Sequence, residues 1–353
     1  MPTDSTPPHV NLRPGASMRE VAERAGVALS SVSRVLSGHP DVSAVMRNRV
    51  LDAAAALGYE PNLLAKGLRS GATRTVGFVV GDISNPLLAQ IVLGAETALR
   101  KAGYAMLLTA DNDPGMDSSH ITLLRQRQVD GLLLSLADDT AEPTAAALRN
   151  AGVPYVLIDR EVAGTGSAVL SAHDNGMAAA VTHLVGLGHE RIALINGPSQ
   201  VRPSRERAKA LRRECRATGA IALVRSGPFT ADYGAGATRS LLALPEPPTA
   251  IIAGSNQILA GVLDVLRRDG IRVPADVSLV SCDDVPLTRF VDPPLAMITR
   301  DPPEMGRVAA ELLLDLLGGG QGRDEVLPTD FRAAGSCAPP PAAATERAAD
   351  QER

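Results

Sequence analysis

From Thr75 onward the chain alternates short apolar runs with amphipathic stretches, a pattern that few folds can accommodate. VGFVV, AMLLTA, GLLLSL and YVLID are separated by helix-length segments, and RIALIN, IALVR, TAIIAG and VSLVS repeat the rhythm. Strands apolar on both faces need helices above and below them, which is the condition a parallel sheet provides. Two such series in succession predict two doubly wound α/β lobes. Ligands of open α/β sheets bind at the carboxyl ends of the strands, so a cleft is expected between the lobes.

Residues 17–58 follow the helical period instead. Ser17-Met18-Arg19-Glu20 reads as a capping box that starts a first helix, and Gly26 ends it. A second helix over 29–37 sets Val32, Val35 and Leu36 on one face and leaves Ser30, Ser31, Ser33 and Arg34 on the other. A third begins after Ser43, carries a stripe of Val45, Met46, Val50, Ala54 and Leu57, and stops at Gly58. Two helices joined by a tight Gly-containing turn form the unit whose second helix enters the major groove of DNA. The same periodicity also fits a helical pair packed against the body.

Charge separates these readings in part. The chain of 353 residues carries a net charge of −4, which by itself speaks against a nucleic-acid partner. Residues 1–71 nevertheless hold eight Lys/Arg against six Asp/Glu, leaving 27 against 33 for the remainder, so a net positive balance is confined to the head. Cys215, Cys282 and Cys337 show no ligand spacing, and no metal site, disulfide framework or cofactor is expected. No nucleotide loop or nucleophile elbow occurs, so the chain reads as a binding protein and not an enzyme. The first 16 residues lack a secretory pattern and read as a disordered leader, which points to the cytoplasm, and 335–353 read as a disordered tail.

MREVAERAGVALSSVSRVLSG, VSAVMRNRVLDAAAALGYEPNLLAKGLRSG and TRTVGFVVGDISNPLLAQI form an ordered series that resembles the LacI/GalR family of transcriptional regulators. The likeness continues through VDGLLLS, VLIDR, HLVGLGHERIALINGP, RVPADVSLVSCDDVPL and PPLAMITRDPPEMGRVAAELLL. It implies a helix-turn-helix head over 17–60, a hinge over 61–73 and a two-lobed, periplasmic-binding-protein-like effector domain over 74–334. It further implies a homodimer on a palindromic DNA operator, with a small-molecule effector in the cleft setting DNA affinity.

Carried over by position, the base-reading residues are Leu29, Ser30 and Arg34, with Arg34 suited to a bidentate guanine contact. Ser17, Ser31 and Ser33 fall where the family contacts phosphates. Ala28 stands where the family commonly has a capping Ser or Thr, a loss of about 1 kcal/mol. In the hinge, the resemblance implies DNA binding by Asn62, Ala65 and Leu68, with Leu68 wedged into the central base step and Ala65 small enough to let two hinges approach. A segment this short, interrupted by Gly67, forms a helix only with a partner; a plain flexible linker is the alternative.

For the cleft, the resemblance implies Asn85, Leu87, Leu88, Asp159, Arg160, Arg207, Phe229, Ser255, Asp283 and Arg300. Leu87 and Leu88 replace an aromatic pair, Ser255 replaces an Asn and Arg300 replaces a Gln. Three arginines against two aspartates suggest a sugar or an anionic sugar derivative. Asp159–Arg160 as an interlobe salt bridge and Asp283–Asp284 as a helix cap are the structural alternatives. His173, His183 and His189 read as helix-end or surface residues.

Overall fold

The computed structural model describes residues 16–59, 72–111, 113–164 and 166–341. The chain divides into two compact units, residues 1–73 and residues 74–353. The hinge residues Asn62, Ala65 and Leu68 lie outside the described residues.

In the first unit, α1 (Met18–Ala25), α2 (Leu29–Leu36) and α3 (Ala44–Leu57) close around Val21, Val32, Val35 and Val50. The local chemistry follows the sequence. Ser17 and Glu20 form the reciprocal capping box, and Ser43 caps α3 by accepting from the Met46 N–H. Gly26 turns the chain at φ 62°, a left-handed conformation that glycine adopts without cost. Arg49 reaches back to the Ala25 carbonyl at 2.6 Å and ties α3 to that turn. The expected stripe of α3 needs one correction: Val45 is 72% exposed, and Ala53 takes the inward place.

The second unit contains two six-stranded sheets. Lobe 1 is built on β1 (Thr75–Val80), β2 (Ala105–Ala110), β3 (Gly131–Leu134), β4 (Tyr155–Ile158), β5 (Ser167–Ser171) and β11 (Asp324–Leu327), ordered β11-β5-β4-β3-β1-β2 and parallel throughout. Lobe 2 is built on β6 (Arg191–Asn196), β7 (Ile221–Ser226), β8 (Ala250–Ala253), β9 (Ser278–Cys282), β10 (Ala296–Thr299) and β12 (Asp330–Arg332), ordered β12-β10-β9-β8-β6-β7. Among the described residues only the short edge strand β12 runs antiparallel. The two apolar faces expected of β1 are visible in the cores: Val76, Phe78 and Val80 face one layer while Val79 faces the other.

The lobes are not simply successive, as the sequence rhythm implied. Helices α4 (Pro86–Lys101), α5 (Asp117–Gln126) and α6 (Glu142–Arg149) cover lobe 1. The chain then crosses at Ala172 into α7 (His173–Gly186), α8 (Arg202–Thr218), α9 (Ala231–Leu242) and α10 (Asn256–Arg268) of lobe 2. It returns at Arg300 to α11 (Pro302–Leu317), whose Met305, Ala309 and Leu313 sit in the core of lobe 1 beside β1, β3 and β4. After β11 it crosses a third time at Thr329, whose hydroxyl donates to the Ala172 carbonyl at 2.6 Å and accepts from the Gly176 N–H at 3.0 Å. Three crossovers therefore meet at one hinge.

The C-terminal boundary also moves. Residues 335–338 pack against lobe 2: Ser336 is fully buried, accepts from the Ala296 N–H at 2.8 Å, and donates its hydroxyl to the Leu279 carbonyl at 2.6 Å. The ordered body thus continues past residue 334, since the hydroxyl and backbone of Ser336 satisfy groups that β9 and β10 would otherwise bury unpaired.

Helices α4 and α11 approach so closely that a Cβ at Gly306 would overlap the Ile91 carbonyl oxygen, and one at Gly94 would overlap that of Pro303. Neither backbone can yield without moving the sheet beneath it. Gly306→Ala is expected to destabilise the effector domain by about 1–3 kcal/mol through overpacking, seen as a lower urea midpoint with the slope unchanged.

Candidate functional site

On the head, the candidate residues lie along α2 and at the start of α1. Leu29, Ser30 and Arg34 are exposed, Ser31 and Ser33 are half-buried, and Ser17 lies exposed at the start of α1. Arg34 makes no side-chain hydrogen bond or ion pair among the described residues, whereas Arg47 donates to the His39 carbonyl and Arg49 to that of Ala25. Arg34 thus keeps its whole guanidinium fork for an outside acceptor. The start of α2 has no side-chain cap at Ala28, as the sequence required, so the first amide donors of that helix are not used by its own N-cap side chain. The hydroxyl of Ser17 accepts from the Glu20 N–H and retains its own hydrogen to give.

In the second unit, all ten candidate cleft residues come together. A cleft of about 600 Å³ between the lobes is lined by Asn85, Leu87, Leu88, Asp159, Arg160, Arg207, Phe229, Ser255, Asp283 and Arg300. The reason is topological: each of these residues follows a strand's carboxyl end or belongs to a helix beginning there, and the two sheets point those ends at one another. Leu87, Leu88 and Phe229 also pack into the cores of their own lobes.

The floor is an acid–base–acid bridge. Arg300 donates from Nη1 to Asp159 Oδ2 at 2.6 Å, from Nε to Asp283 Oδ1 at 2.8 Å, and from Nη2 to Asp283 Oδ2 at 3.4 Å. Asp159 ends a strand of lobe 1 and Asp283 a strand of lobe 2, so the bridge spans the hinge. Both aspartates hold left-handed backbone, φ 52° and 76°, an uncommon conformation that Asp tolerates better than most residues. The interlobe salt bridge therefore exists, but with Arg300 as the partner of Asp159 and not Arg160. Arg160 donates to the carbonyls of Leu136 and Asp159, and Arg207 donates to that of Gly254 at 2.8 Å. Nor does Asp283 cap the turn after it, where Asp284 meets Thr288 at 3.3 Å.

His173 and His189 lie at the two ends of α7, as expected of helix-end residues, but both are buried and paired. His173 is buried, and its Nε2 lies 2.9 and 3.1 Å from the two oxygens of Asp159. His189 is buried between Thr249 and Ser278, at 2.8 and 3.0 Å, beneath the amino ends of the lobe 2 strands. A lone histidine gives no sequence signal for such pairing, because burial and partners are set by the tertiary structure: Asp159 is 14 residues from His173, and Thr249 and Ser278 are 60 and 89 from His189.

Other cleft residues were also missed. Asp82 accepts from Gln257 Nε2 at 3.0 Å, and Asn85 Oδ1 accepts from Asn256 Nδ2 at 3.0 Å, joining the lobes across the lip. Asp139 of lobe 1 accepts from the Arg205 guanidinium at 2.6 Å and from the Arg202 backbone N–H at 2.9 Å on another side.

Electrostatics follow from burial and pairing. Burial works to raise the carboxyls of Asp159 and Asp283, but His173 and then Arg300 at Asp159, and Arg300 and then Arg207 at Asp283, overcome it and hold both below the usual range, Asp159 well below. Burial also opposes the charge on Arg300, yet Asp283 and Asp159 raise its affinity for its proton. Burial lowers His173 to about 4 despite Asp159, with Arg207 and Arg300 adding to the effect. At neutral pH His173 is thus an uncharged N–H donor to Asp159, and Arg300 supplies the charge.

The sign of the consequence is fixed. With its pKa at about 4 when folded and near 6.5 when unfolded, His173 takes up more protons in the unfolded chain. Its contribution is fully present above about 6.5 and is lost as pH falls from there to about 4. Denaturation midpoints measured across that window should fall more steeply for the native chain than for His173→Gln.

Residues 17–62 match bacterial regulatory proteins of the lacI family, and residues 181–337 match a periplasmic binding protein-like domain. The repressor CytR of Escherichia coli K12 is 33% identical over 310 residues, covering 86% of this chain and 90% of the relative. A lac repressor dimer bound to operator and the anti-inducer ONPF superposes with a TM-score of 0.83 at 25% identity, over 92% of this chain and 99% of that one. A complex of the regulator CelR with cellobiose gives 0.69 at 33% identity, over 91% and 99%. With its helix-turn-helix head and two parallel lobes, the chain belongs to the lacI family of DNA-binding transcriptional regulators.

Proposed function

We propose that this chain is a cytoplasmic repressor that grips a palindromic operator as a homodimer and answers to a sugar in the interlobe cleft. The observation that carries the DNA reading is the outer face of α2, where exposed Leu29, Ser30 and Arg34 surround a guanidinium with no side-chain bond to the head. Ser17, Ser31 and Ser33 flank that face as phosphate contacts, which fix register without reading sequence. A two-fold pair of heads reads two half-sites, and the operator-bound dimer of the lac repressor supports that assembly here.

For the effector, three arginines against two aspartates favoured an anionic derivative; two features favour a neutral, donor-rich sugar instead. Arg300 is committed to both carboxylates, and Asp82 joins the wall, so three carboxylates balance three guanidinium groups. Among the described residues Asn256 Oδ1 is a buried acceptor without a hydrogen-bond partner beside the cleft, which a ligand hydroxyl would satisfy once the contact with Asn85 parts. The cellobiose bound by CelR belongs to the same ligand class.

Sequencing genomic fragments retained by the purified protein tests the DNA reading. An Arg34→Ala chain should lose about 1–3 kcal/mol of affinity for the selected site, roughly 5- to 150-fold, while keeping its thermal midpoint. Equal retention by both chains would overturn the reading, and retention of a protein in place of DNA would replace it.

A further inference from the structure

Arg300 sits at a crossover between the lobes and meets a carboxylate from each. Its side chain is 9% exposed and those of Asp159 and Asp283 are 5% and 4%, so the bridge is shielded from competing water. Around it the hinge is knitted further: His173 and the Ser171 hydroxyl hold Asp159, and Arg202 from lobe 2 reaches both Asp159 and the Ser171 carbonyl, at 3.4 and 3.1 Å. Every one of these groups belongs to the protein. The two carboxylates at the floor, well suited to bind ligand hydroxyls, are already engaged by a side chain of the same chain.

We infer that Arg300 is an internal occupant of the cleft floor, a tethered latch that holds the lobes together without ligand and that an effector must pry from a carboxylate. This rests on reading the cleft as the effector site, but the latch itself can be tested without any effector. It makes Arg300 a specificity determinant by competition. A successful ligand must offer donors to Asp159 or Asp283, and a ligand bearing only acceptors leaves the bridge intact. It also makes Arg300 the opposite of a simple ligand contact, whose removal would weaken binding.

The test uses the full-length chain with spin labels on non-natural residues at Gln126 and Arg239, which are exposed on α5 of lobe 1 and α9 of lobe 2. Labelled chain is diluted with unlabelled chain so that only distances within one chain are read by double electron–electron resonance. Without ligand, the native chain should give one narrow interlobe distribution. Arg300→Gln and Asp283→Asn should each add a population shifted away from it, and Arg300→Lys, which keeps the charge but loses the fork, should fall between. Should Arg300→Gln fail to fold, the other two variants decide. Distributions that match the native one in every folded variant would overturn the latch.

A second readout is calorimetric titration with neutral pentoses, hexoses and disaccharides. A sugar that binds the native chain should bind Arg300→Gln more tightly, because its competitor is gone. Weaker binding would overturn the latch in favour of direct contact. If the variants shift the distances and no sugar binds either protein, the latch stands and the sugar reading fails.

Discussion

A guanidinium buried between two carboxylates is the interaction on which the effector domain turns. Taking three charges out of water is costly, and removing one member of such a set costs roughly 3–5 kcal/mol because the others are left uncompensated. The arrangement persists here because Arg300 lies where the chain passes from lobe 2 back to lobe 1, with one acidic strand end on each side. Two sheets whose carboxyl ends face each other would otherwise bring Asp159 and Asp283 to one floor with no cation between them. Arg300 settles that conflict, and His173 supplies a neutral donor for the remaining demand of Asp159.

The same hinge explains how a cleft can act at a distance. Three crossovers, at Ala172, Arg300 and Thr329, pass through a region a few hydrogen bonds wide. Any group that competes for Asp159 or Asp283 acts on the pivot itself. The lip, by contrast, is joined by uncharged or singly charged pairs, Asn85 with Asn256 and Asp82 with Gln257, which water can replace at little cost. Pairing at this edge is looser than at the pivot, whereas the Asp139–Arg205 ion pair on another side is a second charged tie between the lobes. On the proposed reading of the cleft as an effector site, a ligand's differential affinity for two hinge states would set how far DNA affinity can move.

Much of this was legible in the sequence, for identifiable reasons. The helix ends at Ser17, Gly26 and Ser43 are local chemistry, and the structure places each cap where three or four neighbouring residues require it. The buried strands β1, β3, β6 and β8 are long apolar runs and stand out. β5, β10, β11 and β12 did not, because SAVLS, AMIT, DEVL and DFR are short, polar-interrupted or on a sheet edge. The ten cleft positions were found by resemblance, while their pairing was not: Arg300 lies 141 residues from Asp159 and only 17 from Asp283. The pairing of His173 was missed too, since burial and partners belong to the tertiary structure. Ser336 was mistaken for tail because an Ala- and Pro-rich context hides one hydroxyl that two strands depend on.

The account stands or falls on whether the hinge bridge governs the grip of the head on DNA. Operator affinity of the full-length native chain and of Arg300→Gln, measured side by side without ligand at one salt concentration, tests this directly. If the bridge biases the head, as the account holds, the operator affinity of the variant differs from that of the native chain by about fivefold or more, although its head is unaltered. Identical affinities, with the interlobe distance demonstrably changed, would contradict it.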